Sequence, residues 1–171
     1  MKKIAQFEKV SWKQFQKDYV DTFSEGHTIN MDEVKEIYNS IQLPIRATSG
    51  SAGYDFKSPI TFTLKPGQTI KIPTGIRVKI DDGWVLKCYP RSNLGFKYKM
   101  RTSNVIPIID SDYYFSDNEG HIFLKISNEG DRILNVNACD KIVQGVFVPY
   151  GITYDDCANE IRNGGVGSTG K

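Results

Sequence analysis

Four short β-type runs follow one another between residues 61 and 88, which read TFTLKPGQTIKIPTGIRVKIDDGWVLKC. Apolar and polar residues alternate in runs such as Ile76–Ile80, and a period of two turns every second side chain toward one face. Lys65–Gly67 and Asp81–Gly83 separate the runs with residues that favour tight turns. The pattern therefore predicts antiparallel strands joined by short turns.

The same β-rich pattern returns in the second half of the chain. The predicted strands are Thr61–Leu64, Thr69–Ile72, Ile76–Ile80, Trp84–Cys88, Ile122–Ser127, Ile133–Val136 and Ile142–Val148. Many short strands at this spacing are typical of an all-β sandwich or barrel that closes on itself to hide its edges. We predict an all-β domain over residues 43–171.

The first 42 residues have a different pattern, with a period that is typical of helices. Ser11 and Gln14 form a predicted capping box, in which the hydroxyl and the amide satisfy free backbone N–H groups at the start of a helix. A second helix is predicted to begin at Asn30 and to end before Pro44. The apolar residues at helical spacing are Trp12, Phe15, Tyr19, Phe23, Val34, Ile37, Tyr38 and Ile41. We predict a helical N-terminal extension, residues 1–42, that packs on the β domain as a decoration.

Length and charge exclude several classes of protein. A chain of 171 residues is long enough for one domain. With 22 Lys and Arg against 20 Asp and Glu, its net charge of +2 is too small to indicate a nucleic-acid or anionic-membrane surface. Lys2 and Lys3 are followed by no apolar segment of a secretion signal, and no run approaches the length of a membrane span.

The rare residues exclude further kinds of site. Cys88, Cys139 and Cys157 lie too far apart in sequence for a zinc ribbon, and their odd number argues against a disulfide framework. His27 and His121 have no second ligand nearby, so neither a His-based metal site nor a Ser-His-Asp triad is expected. We expect free thiols in a reducing compartment, the cytoplasm.

Three segments offer candidate chemistry. Asp110 and Asp112 follow an apolar run, and we expect their two carboxylates to point to opposite faces and to be poorly placed for one shared role. Arg91 and Ser92 follow a predicted strand and together form an anion-binding pair. The glycine-rich residues 164–170 could wrap a phosphate chain, but they form no P-loop, since neither a hydroxyl residue nor a helix follows Lys171.

These segments occur in an order that resembles the five motifs of the homotrimeric dUTPases. The matching segments are Ser51–Asp55, Pro90–Leu94, Ile109–Tyr113, Asp140–Gln144 and Arg162–Gly170. The resemblance covers residues 43–171. It implies a distorted β jelly roll and a homotrimer with three active sites at its subunit interfaces. It also implies the Mg²⁺-dependent hydrolysis of dUTP to dUMP and pyrophosphate, which keeps uracil out of DNA and supplies dUMP for dTMP synthesis.

The resemblance assigns roles to residues at the nucleoside end of the substrate. Asp110 stands where the family has its general base, which aligns and deprotonates the water that attacks the α-phosphorus. Tyr113 would pack on the deoxyribose and exclude a 2′-hydroxyl. A hairpin that includes Asn104, Ile108 and Ile109 would read uracil, largely through backbone groups.

Other residues would bind the phosphates, again as the resemblance implies. Arg91, Ser92 and Asn93 would hold them from a neighbouring chain, and Gln144 would add a polar contact. Asp55 would reach Mg²⁺ through water, because the triphosphate itself holds most of the metal's shell. The tail of a third chain would close over the nucleotide. Its residues are Arg162, toward the γ-phosphate, and Val166, Gly167, Ser168 and Thr169.

The chain departs from the family's motifs at several positions. Val166 replaces an aromatic residue that stacks on uracil, and Lys141 replaces an arginine. Asn93, Pro107 and Cys139 each stand where glycine is usual. Residues 115–119 lengthen the turn after the general base, and they could form a surface loop or shape the site; we expect the surface loop.

Two other functions remain open at the level of sequence. A dCTP deaminase shares the fold, but it uses a catalytic glutamate after a Gly-Trp-x-Gly-like stretch that this chain lacks. A non-catalytic relative that senses nucleotides or binds a partner would keep the pocket without turnover.

Overall fold

The computed structural model describes residues 2–26, 28–162 and 164. The helices are α1 Trp12–Phe23, α2 Met31–Ser40 and α3 Ser92–Tyr98, and a 3₁₀ turn spans Ser111–Phe115. The strands are β1 Ala5–Lys9, β2 Ile45–Arg46, β3 Tyr54–Lys57, β4 Phe62–Leu64, β5 Thr69–Pro73, β6 Ile76–Ile80, β7 Trp84–Pro90, β8 Met100–Thr102, β9 Ile108–Ile109, β10 Phe123–Asn128, β11 Leu134–Val136 and β12 Lys141–Pro149.

The strands form antiparallel sheets that enclose one core. The largest sheet has the order β2-β3-β12-β7-β9, and a second has the order β5-β10-β8. Two further pairs, β1-β6 and β11-β4, complete the described part of the fold. The inward side chains of these strands, among them Ile72, Leu86, Leu124 and Ile142, are fully buried. The architecture is a jelly-roll-type β fold, which confirms the predicted class.

The seven predicted strands all form, each within two residues of its expected ends. Burial alternates in several of them, as in β6, where Ile76, Val78 and Ile80 face the core. Strands β1, β2, β3, β8 and β9 were not predicted, and two of these, β2 and β9, have only two residues, too few to display a period of two. Helix α3, shortly after Pro90, was not predicted either.

Helices α1 and α2 form as predicted, with Ser11 and Asn30 as their N-caps. The Ser11 hydroxyl accepts a hydrogen bond from the Gln14 amide nitrogen at 3.1 Å. The second half of the capping box was predicted wrongly, since the Gln14 side chain donates to Asp18 instead. The Ser11 N–H donates to the distant carboxylate of Glu119 at 2.7 Å.

The N-terminal segment is also more than a helical decoration. Its first strand, β1, pairs with β6 and so extends the β architecture. Val10, Phe15, Val34 and Ile41 are buried in the same hydrophobic cluster as the strands. The segment therefore contributes to the core of the protein, while a domain boundary at residue 42 stays a prediction.

Residues 115–119 were expected to form a surface loop, and the structure corrects part of this expectation. Phe115 is exposed, but Ser116 is buried. Both carboxylate oxygens of Glu119 accept hydrogen bonds from Ser11, one from the hydroxyl at 2.6 Å. Part of the segment is therefore exposed as expected, while Ser116 and Glu119 connect it to the rest of the protein.

Gly75 lies at a tight contact between the N-terminal segment and the strands. Its φ of +73° lies in the left-handed region, and a Cβ built there would overlap Cδ1 of Ile41 and lie 3.2 Å from the ring of Phe15. Its carbonyl oxygen accepts a hydrogen bond from the Val10 N–H at 3.0 Å. Only glycine satisfies both the backbone conformation and the available space.

We predict that Gly75→Ala lowers the free energy of unfolding more than Gly67→Ala does. Gly67 has a similar φ of +81° but open space around it. The control should lose about 1 kcal/mol from backbone strain alone. Gly75→Ala should lose a further 1–3 kcal/mol or so, because the new methyl group overpacks the core. Urea denaturation measures both losses, and equal losses would contradict tight packing of Ile41 and Phe15 on this turn.

Candidate functional site

The first group of candidate residues surrounds Asp55 in the five-stranded sheet. Strand β12 lies between β3 and β7, and its Gln144 is paired with Asp55 on one side and Tyr89 on the other. Arg91 follows the end of β7 and donates a short hydrogen bond to Oδ1 of Asp55. Lys141 at the start of β12 lies 2.8 Å from Oδ2. Three strands thus bring together residues of the first, second and fourth motifs.

The two cations determine the charge state of Asp55. Burial alone would raise the pKa of this carboxyl, because its side chain is only 5% exposed. Hydrogen bonds from Lys141 and Arg91 outweigh burial and hold the pKa below its usual value. Asp55 is therefore ionised at neutral pH, and it fixes the position of both cations.

Gly53 allows Gln144 to lie close to the first motif. A Cβ at residue 53 would come within 2.7 Å of Oε1 of Gln144. The glycine thus leaves room for the side chain of Gln144, the residue that is paired with Asp55 in the β3–β12 ladder. This close approach explains why the first motif contains a glycine at this point.

A cavity of about 470 Å³ opens beside Arg91 and Lys141. Lys57, Asn93 and Asp140 contribute further to its wall. The wall of the cavity contains three cationic side chains and only one carboxylate, so the cavity suits an anionic ligand. Lys57 was missed by sequence analysis, although a signal existed: it lies two residues after Asp55 on one strand and therefore on the same face. Ser92 and Asn93 begin helix α3 at the rim, where both are exposed.

The second group of candidate residues lies after β9. Asp110 precedes the 3₁₀ turn, and the Arg162 guanidinium donates to its Oδ2 at 2.6 Å. The same guanidinium donates to Oδ1 of Asp112 at 2.9 Å. The expectation that these two carboxylates point to opposite faces is therefore wrong, and it would be wrong for an extended segment too, where residues two apart share a face. Residues 111–115 form a 3₁₀ turn instead of a strand, and this turn aims both carboxylates at one cation.

Arg162 was expected beside the γ-phosphate. In this structure its guanidinium forms ion pairs with Asp110 and Asp112 of its own chain. Its guanidinium also lies 5.9 Å from the centre of the Tyr113 ring. Within a single chain, these two carboxylates are the anionic groups with which Arg162 pairs. Val166, Gly167, Ser168 and Thr169, the other tail residues of the prediction, lie outside the described residues.

Tyr113 is buried under the 3₁₀ turn, with 6% of its surface exposed. Its hydroxyl donates to the carbonyl oxygen of His121 at 2.8 Å. Burial raises the pKa of this hydroxyl, so it remains a protonated donor at neutral pH. The ring is therefore held in one position, one turn away from Asp110.

The hairpin between β8 and β9 presents Asn104 and Ile108 at the surface, whereas Ile109 is buried. Val105 at its tip has a φ of +62°, which is strained for a β-branched residue. The Thr102 hydroxyl stabilises this tip by donating to the Val105 carbonyl at 2.6 Å. Strained backbone held by its neighbours is often found in binding sites.

The two groups do not meet within one chain. Strand β9 pairs antiparallel with β7, with Ile109 opposite Leu86, so Asp110 lies beside the start of β7. Arg91 follows the other end of the same strand. Six residues of extended chain separate the two points, or about 20 Å. A substrate that touches both Asp110 and Arg91 would therefore need a second copy of the chain.

Membrane spans and metal clusters are both absent from residues 2–26, 28–162 and 164. No helix in this part of the chain is long and apolar enough to cross a membrane. The same residues contain no group of three or more His, Cys, Asp or Glu side chains that could hold a metal ion.

Comparison with known proteins identifies the family. The family model for dUTPase matches residues 39–170. The chain belongs to the dUTPase family. A deoxyuridine 5′-triphosphate nucleotidohydrolase of Lactococcus lactis is 39% identical over 133 residues, which is 76% of this chain and 89% of that protein.

Solved structures agree with this assignment. A dUTPase from Streptococcus mutans superposes with a TM-score of 0.61 at 30% identity, over 86% of this chain and 97% of that one. A mutant of the dUTPase from phage phi11 of S. aureus gives a TM-score of 0.60 at 20% identity, over 92% of this chain and 98% of that one. At that identity the phage protein supports the fold alone.

We predict that Asp55→Asn removes a stabilising contribution that depends on pH. At pH 7 the free energy of unfolding of the variant should be about 2 kcal/mol lower than that of the original chain, because Arg91 and Lys141 lose a charged partner. A carboxyl with a lowered pKa stabilises the fold above its unfolded value of 3.8 and loses this effect as the pH falls through its folded pKa. The difference between the two proteins should therefore shrink below about pH 4.

Urea denaturation between pH 3 and pH 7, as a rough range, measures this difference. The exposed Asp131 provides the control, since Asp131→Asn should leave the pH profile unchanged. A difference for Asp55→Asn that stays constant down to the lowest pH would contradict the assignment.

Proposed function

We propose that this protein hydrolyses dUTP to dUMP and pyrophosphate, at active sites shared between the subunits of a homotrimer. The observation that carries the proposal is the order of the five motifs in a chain that belongs to the dUTPase family. Removal of dUTP keeps uracil out of DNA, and the dUMP product serves the synthesis of dTMP. The free thiols of Cys88, Cys139 and Cys157 favour a reducing compartment such as the cytoplasm.

The cavity beside Arg91 would receive the phosphate chain. Arg91 and Lys141 are already oriented by Asp55, so little reorganisation is needed when an anion arrives. Ser92 and Asn93 at the start of α3 would donate further hydrogen bonds, and Gln144 would add a polar contact from β12. Phosphoanhydride hydrolysis depends chiefly on such positioning and charge stabilisation.

Asp110 would act as the general base. Its carboxylate is half exposed and therefore accessible to water. It would align a water molecule and accept its proton as the oxygen attacks the α-phosphorus. The bond between the α-phosphorus and the bridging oxygen breaks, and pyrophosphate leaves with the electron pair. Arg162 would have to leave Asp110, or share it, when it turns toward the γ-phosphate.

Recognition of the nucleoside would fall to the hairpin and to Tyr113. Backbone groups around Asn104, Ile108 and Ile109 would read the edge of uracil, and the buried ring of Tyr113 would exclude a 2′-hydroxyl. The tail residues Val166, Gly167, Ser168 and Thr169 would cover the bound nucleotide.

Mg²⁺ would accompany the triphosphate, where it neutralises the charge that develops on the phosphate oxygens. Both oxygens of Asp55 already accept hydrogen bonds from cations. This donor set fits a hydrated ion carried by the substrate, with Asp55 in contact through water, and does not fit an ion held by protein ligands alone. The phi11 phage dUTPase is described with a structural Mg(II) ion.

The separation of the two groups supports a site shared between chains, and the homotrimer is the assembly that the resemblance implies. Because Asp110 and Arg91 lie about 20 Å apart along β7, one chain would supply the base and another the phosphate site. The exposed apolar side chains Ile152, Tyr154 and Ile161, which follow β12, would be covered by neighbouring subunits.

We predict that the protein releases pyrophosphate from dUTP and far less from dTTP, dCTP or UTP. Asp110→Asn should lower kcat by about 10² to 10⁴-fold with little change in KM, because the water loses its base while the phosphate contacts remain. Pyrophosphate release with Mg²⁺ present measures both constants. Binding of dUTP without turnover would reject the enzyme, and ammonia release from dCTP would indicate a deaminase.

We further predict that two inactive variants restore activity when they are mixed. Asp110→Asn and Arg91→Ala should each be poorly active alone. When equal amounts are unfolded and refolded together, about one site in four combines an intact base from one chain with an intact Arg91 from another. Activity should therefore rise toward about a quarter of the original value. No recovery would mean that a single chain holds the whole site.

A further inference from the structure

The N-terminal segment contacts the chain that follows Asp110 at three places. We call residues 110–121 the catalytic turn. At the first place, Glu119 accepts hydrogen bonds from the N–H and the hydroxyl of Ser11, at 2.7 and 2.6 Å. Partial burial would raise the pKa of Glu119, but the bonds from Ser11 outweigh burial and lower it. The N-cap of α1 is thereby bound to the far end of the catalytic turn.

The second contact joins α1 to His121, which is fully buried. Oδ2 of Asp18 lies 2.5 Å from Nδ1 of His121, and the Gly75 N–H donates to Nε2 at 2.7 Å. Because Nε2 accepts a hydrogen bond, the proton of the neutral ring is on Nδ1 and points to Asp18. Gln14 also donates to Asp18, at 2.8 Å. The ring is thus held between α1 and the turn that links β5 to β6.

The third contact involves strand β1. The Tyr114 hydroxyl donates to Oε2 of Glu8 at 2.8 Å, and Arg77 pairs with the same oxygen at 2.8 Å. The guanidinium of Arg77 lies 4.4 Å from the centre of the Tyr114 ring. Tyr114 is the neighbour of Tyr113, so this contact reaches the middle of the catalytic turn.

All three contacts are made by residues of the catalytic turn that lie near Tyr113 in sequence. The Tyr113 hydroxyl donates to the carbonyl oxygen of His121, and Asn118 donates to the same hydroxyl at 2.9 Å. A residue that holds the His121 ring therefore also holds the acceptor of the Tyr113 hydroxyl. The turn needs such support, because Glu119 has a φ of +58°, a conformation that residues with side chains rarely adopt.

We propose that the N-terminal segment holds the catalytic turn in its working conformation, with Ser11 and Asp18 as positioning residues for Tyr113. This inference rests on the proposed function, in which Tyr113 selects deoxyribose. The segment then belongs to the catalytic machinery, although none of these residues touches the substrate. Loss of a contact should loosen Tyr113 first, and discrimination between dUTP and UTP should suffer before overall folding does.

The test compares kcat/KM for dUTP and for UTP in variants of the full chain. Asp18→Ala should lower the preference for dUTP about tenfold, since it removes a buried acceptor of the His121 ring. Ser11→Ala should lower it about threefold, because the Ser11 N–H still reaches Glu119. Asp18→Asn and Ser11→Thr should restore most of the preference, since an amide oxygen and a threonine hydroxyl can make the same bonds.

Asn30→Ala is the matched control. It removes the N-cap of α2, whose side chain contacts Asp32 and Glu33 and does not contact the catalytic turn. It should lower the unfolding temperature as Ser11→Ala does and leave the preference for dUTP unchanged. If all three alanine variants lower only the unfolding temperature, the N-terminal segment is purely structural and the inference is overturned.

Amide hydrogen exchange separates this inference from the proposed function. Residues 110–121 should exchange faster in Asp18→Ala than in Asn30→Ala, whether or not the original chain hydrolyses dUTP. Equal exchange in both variants would overturn the inference. Absence of pyrophosphate release by the original chain would overturn the proposed function alone.

Discussion

The pairing of β12 with both β3 and β7 determines where Asp55, Arg91 and Lys141 lie. The N–H of Arg91 donates to the carbonyl of Ile142 on β12 at 3.2 Å, and Gln144 is paired with Asp55 on β3. These backbone contacts set the register of three strands. Since a shift of one residue would turn Asp55 to the other face, the ladder of hydrogen bonds determines the position of every charged group in this half of the site.

The charges in this half are balanced locally. A buried carboxylate is costly unless cations and hydrogen bonds satisfy it, and Asp55 has both. Arg91 and Lys141 are in turn held in place by Asp55, at the wall of a cavity that Lys57 makes more basic. The net charge of +2 for the whole chain therefore says little about the local field that an anionic ligand would meet.

The sequence was sufficient to predict the longer strands of the β domain, because runs of apolar β-type residues stand between clear turn signals. It also indicated where Arg91 and Gln144 lie relative to the strands, whereas the strand that carries Asp55 was not predicted. It failed for Asp110 and Asp112, whose carboxylates share the partner Arg162, 52 and 50 residues further along the chain. It failed again for Ser11, whose partner Glu119 is 108 residues away. Such contacts depend on packing between distant segments, and neither local pattern nor spacing encodes them.

The contacts of the N-terminal segment and the ion pairs of Asp55 lie at different halves of the candidate site. Ser11 and Asp18 hold the turn that carries Asp110, while Asp55 orients the cations near the end of β7. In the proposed homotrimer, a substrate that contacts both halves bridges two copies of the chain. The N-terminal segment of one subunit would then support the proposed base, which acts on a substrate held by the neighbouring subunit. Order in the catalytic turn would therefore matter more to the proposed assembly than to an isolated chain, because the segment would influence the reaction across the interface between subunits.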